Sequence, residues 1–171
     1  MTVRMSKLSP ASRAGLLVML GALVIILAAL GFEYIGGYAP CPLCLQQRYA
    51  YYACIPLSVL ALVLVSAGRG EAAAVTFLVV ALAFLANAVL GTYHAGAEWG
   101  FWPGPESCTA AGPLSTNAGD LLRSLASTRV APCTQPALRL FGLSLAGWNV
   151  VASLALAVGS AWAATRATGV R

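Results

Sequence analysis

Four long stretches of this chain carry no charge at all, and every Lys, Arg, Asp and Glu is gathered into the segments between and around them. The apolar runs at residues 14–32, 49–68, 72–93 and 143–165 are each long enough to cross a hydrocarbon layer of ~30 Å as a helix. The pattern predicts an all-α membrane protein, a four-transmembrane-helix bundle forming one domain over residues 1–171. A short outside loop at 33–48, a tight turn at 68–71 and a long outside loop at 94–142 connect the spans. The first run exceeds the roughly 7–15 residues of a signal-peptide core, so an uncleaved helix is expected there. In the long loop, Trp99, Phe101 and Trp102 suit an interfacial belt. Asp120 is placed to cap a short helix over 121–126 whose Leu121, Leu122 and Leu125 would lie on the membrane surface.

Composition changes the picture only by removing alternatives. Hydrophobic residues make up 60 % and charged residues 9 %, against about 25 % charge in a soluble domain. The net charge of +5 does not indicate nucleic acid, because the basic residues are scattered at the ends of apolar runs. They do orient the chain. Arg4, Lys7, Arg13, Arg69, Arg166 and Arg171 face only Glu71 on one side, whereas acids and bases balance on the other. Basic residues near span ends stay cytoplasmic, so both termini belong inside.

This orientation puts Cys41, Cys44, Cys108 and Cys133 in the two outside loops, where disulfides persist, and leaves Cys54 as a packing residue within a span. Pro42 suits the first turn of a helix, which brings Cys44 under the positive end of the helix dipole and favours its thiolate. Arg48 follows four residues later on the same face. Leu45 stands where a haem-attachment motif needs histidine, and a zinc site would want a second closely spaced cysteine pair, so no metal is expected. A redox dithiol and a purely structural staple both remain. Arg48 reads either as a snorkelling cation or as an anion-stabilising group, and His94 as an interfacial polar residue or a second such group. Between Cys108 and Cys133 the loop is rich in Gly and Pro, so a bridge there is expected to be exposed and exchangeable. Pro56 is expected to kink the second helix, and Asn87 and Asn149 to hydrogen-bond between helices.

Three blocks of residues resemble the DsbB family of inner-membrane thiol oxidases. They are Cys41-Pro42-Leu43-Cys44 with Arg48, Tyr93-His94-Ala95-Gly96 leading through Gly104-Pro105 to Cys108, and Pro132-Cys133 leading to Gly142-Leu143-Ser144-Leu145-Ala146-Gly147-Trp148-Asn149. The resemblance implies a bacterial inner-membrane enzyme with periplasmic cysteine loops that reoxidises a DsbA-like thioredoxin-fold protein and reduces a membrane quinone, ubiquinone or menaquinone. By the same resemblance Cys108 would be attacked by the reduced partner and Cys133 would help resolve the mixed disulfide. Cys133 would then exchange with Cys41, and the freed Cys44 would pass the electron pair to the quinone beside Arg48 and His94. Cys54 falls outside the family pattern. Two rivals have distinct signatures. In a vitamin K epoxide reductase-like protein the dithiol lies late in the bundle, and a disulfide-stapled scaffold or transporter subunit would have inert bonds. A transporter would also show charged or broken helices at mid-membrane, and none of the four spans contains a charge.

Overall fold

The structure, a computed structural model, describes residues 8–105, 108 and 133–169. Four helices, α1 (Pro10–Tyr34), α2 (Pro42–Ser66), α3 (Gly70–Glu98) and α4 (Leu145–Ala167), are long and apolar enough to cross a membrane. Packing follows a ring in which α1 meets α2, α2 meets α3, α3 meets α4, and α4 closes on α1. At about 1.5 Å per residue each helix overshoots a ~30 Å hydrocarbon layer. The overshoot gathers the polar ends at one side of the bundle, and Cys41, Cys44, Cys108 and Cys133 cluster there while Cys54 lies mid-helix.

Each start has a local cause. Ser9 caps α1 by accepting from Ser12 N, and Ser144 caps α4 by accepting from Gly147 N. Cys41 caps α2 with its own sulfur, which accepts from Cys44 N at 3.2 Å, while Pro42 occupies the first turn. A proline costs nothing there because its missing N–H would have had no helical acceptor. Helix α2 therefore begins well before residue 49 and runs on through Pro56. Helix α3 continues past residue 93 to Glu98, which draws His94 and Glu98 out of the expected loop and into the last helical turns.

The interior is lined by small residues. Ala11, Ala22, Ala61, Ala73, Ser58, Ser153 and Ser160 are buried, while Leu17, Val24, Val63, Leu82 and Val158 face outward. Lipid is as apolar as leucine, so helices in a bilayer associate through close backbone approach rather than by hiding side chains from water. Gly15 shows how close that approach is, since a Cβ there would lie 2.5 Å from the Phe77 ring. Cys54 is fully buried in the central cluster with Tyr51, Val80 and Phe84, as a packing residue should be.

One element departs from an all-helical chain. Strands β1 (Arg139–Leu140) and β2 (Leu143–Ser144) pair antiparallel, Arg139 opposite Ser144 and Leu140 opposite Leu143. Phe141 and Gly142 have φ of 52° and 85°, the two positive values that a tight type I′ turn needs. Residues 143 and 144 thus belong to this hairpin, and α4 starts only at Leu145. The expected surface helix at 121–126 lies outside the described residues.

Candidate active site

Cys41, as the cap of α2, presents its sulfur to three groups at once. Cys44 Sγ is 2.7 Å away, the Cys44 amide 3.2 Å, and His94 Nε2 3.6 Å. These interactions act against burial, and hydrogen bonding from the Cys44 thiol is the largest of them. Together they hold the Cys41 thiol down to about 5. The anion is therefore favoured at Cys41 rather than at Cys44. This corrects the expected Cys44 thiolate: the helix dipole alone pointed to Cys44, but Cys41 is the cap residue whose sulfur accepts from the Cys44 amide and thiol.

A direct consequence is measurable. In the reduced protein kept in chelator, the thiolate absorbance of Cys41 should persist as pH falls through the ordinary cysteine range near 8.5 and be lost only around the lowered value of about 5. Cys44→Ala should move that midpoint up further than His94→Ala does. A single midpoint near 8.5 in the parent protein would contradict the cap geometry.

His94 is buried on α3 and its orientation is set from α2. Gln47 Nε2 donates to His94 Nδ1 at 2.9 Å, Asn149 Nδ2 donates to Gln47 Oε1 at 2.6 Å, and Tyr51 Oη donates to Asn149 Oδ1 at 2.6 Å. With Nδ1 accepting, the ring proton sits on Nε2 and points at Cys41. Glu98 Oε1 lies 3.7 Å from the same nitrogen. Further along, Asn87 Nδ2 donates to Ser153 Oγ at 2.9 Å. Asn87 and Asn149 thus hydrogen-bond between helices, as their positions in apolar runs suggest. Gln47, Tyr51 and Glu98 carry parts of this network that spacing did not single out. The available signal was the placement of Cys44, Gln47 and Tyr51 at i, i+3 and i+7, one face of a helix.

Cys108 and Cys133 form a disulfide with Cα atoms 5.4 Å apart. The expected exposure is not found, because both are buried in a cluster with Cys41 and Leu43, and Cys44 packs against it. Loop composition speaks for mobility of a free segment, but the sulfurs themselves are apolar and dock on the start of α2.

On the opposite side of Cys44 lies a cavity of about 360 Å³, walled by α1 residues such as Val24, Ile25 and Phe32, by Tyr38 and Pro40, and by Trp148 and Asn149 of α4. Cys44, Gln47, Arg48, Tyr51, His94 and Asn149 bring polar groups to a mostly apolar lining. Arg48 does not point freely into it. The guanidinium is paired with Glu33 in the last turn of α1 and reaches Ala29 O at 3.5 Å.

A dithiol touching a disulfide at the edge of a helical membrane bundle is placed for exchange of sulfur bonds. That is the chemistry of a multi-pass membrane thiol oxidoreductase. The chain belongs to the DsbB family, described as disulfide bond formation protein DsbB, which matches residues 11–163. It is also similar to the uncharacterized protein RP370 of Rickettsia prowazekii (strain Madrid E), at 27 % identity over 128 residues, covering 74 % of this chain and 72 % of that protein. No solved structure matches the chain.

Proposed function

We propose that this protein reoxidises a DsbA-like thioredoxin-fold partner at the periplasmic face of a bacterial inner membrane and delivers the electron pair to ubiquinone or menaquinone. The observation that carries this reading is the two-sidedness of the dithiol. Cys41 shares a buried cluster with Cys108 and Cys133, and Cys44 lines the apolar cavity. A water-soluble donor and a lipid-soluble acceptor can then be served by one pair of sulfurs without meeting.

The exchange balances as follows. A partner thiolate attacks the Cys108–Cys133 bond at Cys108, which frees Cys133. Cys133 attacks the Cys41–Cys44 bond at Cys41 and frees Cys44. The second partner thiol then displaces Cys108 and leaves the partner oxidised. Cys108 finally attacks the Cys133–Cys41 bond, which restores the outer bridge and leaves Cys41 and Cys44 as a dithiol holding two electrons and two protons.

A quinone head group fits the cavity in its chemistry, since the walls are apolar and a cation and an imidazole stand beside Cys44. When bound, a quinone accepts two electrons and two protons. Arg48 and His94 are the groups that would hold its oxygens, and the Nε2–H of His94 lies within reach of the Cys41 sulfur whose charge changes during delivery.

Purified protein mixed with quinone and a reduced DsbA-like protein should consume quinone catalytically, followed by its absorbance, and should oxidise one partner per quinone reduced. If an active quinone and several thiol donors give no consumption, the bonds are inert and the stapled-scaffold reading replaces this one.

A further inference from the structure

Cysteine spacing along the chain weighs against zinc only while the Cys41–Cys44 pair lacks a further donor. Helix α3 brings a third donor to the pair. The ligand atoms of Cys41, Cys44 and His94 all lie within 4.8 Å of one another, and Cys41 Sγ is 3.6 Å from His94 Nε2. That last separation is about the edge of a tetrahedron drawn with Zn–S of about 2.3 Å and Zn–N of about 2.0 Å, whereas the two sulfurs, 2.7 Å apart, must open to about 3.8 Å to share one ion.

Two further observations point to a cation. The Glu98 side chain is 5 % exposed, Oε1 stands 3.7 Å from His94 Nε2, and Oε2 has no hydrogen-bond partner among the described residues. Ser144 bonds the same carboxyl, and His94 and Arg139 lie near it, so Oε2 is the one oxygen of Glu98 left open toward a cation. The second concerns the imidazole. To ligate through Nε2, His94 must carry its proton on Nδ1 and find an acceptor there. The Gln47 and Asn149 carboxamides can turn over together to provide it. Gln47 Oε1 then accepts from Nδ1–H, Gln47 Nε2 donates to Asn149 Oδ1, Asn149 Nδ2 donates to Tyr51 Oη, and the Tyr51 hydroxyl donates to Ser153 Oγ, now 3.4 Å away. The rearrangement gives up only the Nε2–H contact with Cys41, whose place the metal takes.

We propose that the reduced Cys41–Cys44 dithiol and His94 form a three-ligand site for a thiophilic divalent cation of the zinc class, with Glu98 or water completing the shell. Binding releases the remaining thiol protons and forms two metal–sulfur bonds. It changes no oxidation state and requires the dithiol form, so oxidation of the pair to a disulfide expels the metal. The same two sulfurs cannot hold a cation and exchange disulfides, so metal capture and electron transfer exclude each other.

The test needs neither quinone nor partner, and its failure is therefore separate from failure of the proposed function. Full-length Cys108→Ser/Cys133→Ser protein, which lacks the second dithiol, is reduced and titrated with Co²⁺. The expected result is a one-to-one end point with sulfur-to-cobalt charge-transfer bands and the visible bands of tetrahedral cobalt, and displacement of cobalt by Zn²⁺. His94→Ala should weaken the affinity at least ~10-fold, and prior oxidation of the pair should abolish binding. Zinc-edge X-ray absorption on protein retaining His94 should resolve two sulfurs and an imidazole nitrogen, which keeps the test independent of how His94→Ala folds. An imidazole-free shell, or equal affinity in a folded His94→Ala protein, would overturn the proposal.

Discussion

Cys44→Ser protein should oxidise its thiol partner once and then stop, with quinone consumption lowered by at least ~10³-fold, the scale seen when a nucleophile that acts as part of a unit is removed. The outer bridge survives this substitution, because Cys108 and Cys133 bond to each other and not to Cys44. One partner is therefore oxidised per enzyme, and the electrons come to rest on Cys108 and Cys133. Nothing moves inward from there, since Cys41 no longer has an intramolecular sulfur to be displaced. Cys108→Ser should fail in the opposite sense. It oxidises no partner, yet quinone reduction driven by a small dithiol that reaches Cys41 and Cys44 persists. Counting free thiols by alkylation after an acid quench distinguishes the two variants, and a Cys44→Ser protein that turned over at a tenth of the parent rate would end the relay.

Most of the membrane architecture was legible in the charge pattern, because an uncharged run long enough to cross lipid has few other uses. Helix ends were legible only where a residue announces them, as Pro42 does. Glu98 falls beyond the predicted third span because that span stops at Tyr93, before the polar ring of His94. Backbone hydrogen bonding carries the helix past it, and the Glu98 side chain finds a buried place beside His94. Phe141 at positive φ hid the hairpin, since a turn of that type is ordinarily signalled by Asn, Asp or Gly. The four loop cysteines stood out as candidates for chemistry, but the anion was placed on Cys44 and the structure favours it on Cys41. Its location depends on which sulfur becomes the helix cap and on where an imidazole fifty-three residues away comes to lie. A still longer separation, 102 residues, concealed the Gln47–Asn149 link between α2 and α4. Residues that meet across a bundle leave no joint trace in a single chain beyond a polar position in an apolar run.

Arg48 offers the second large effect, and the structure makes its two roles separable. The guanidinium is 12 % exposed and its partner Glu33 is 21 % exposed, so the pair ties the end of α1 to the first turns of α2 with little solvent around it. It also lines the cavity. Arg48→Ala removes the cavity's cation and leaves a half-buried carboxylate unpaired. The expected outcome is a rise in KM for quinone of about 10- to 100-fold, the value of one charge-assisted hydrogen bond of about 1.5–3 kcal/mol, together with a lower melting temperature. Glu33→Gln keeps an acceptor for the guanidinium and keeps the cation, so it should cost some stability without raising KM. Measuring KM, kcat and thermal stability for both variants decides the matter. A KM that rises in both proteins in step with lost stability would mean that Arg48 serves only to fasten α1 to α2. A rise confined to Arg48→Ala assigns the cation to the substrate oxygens.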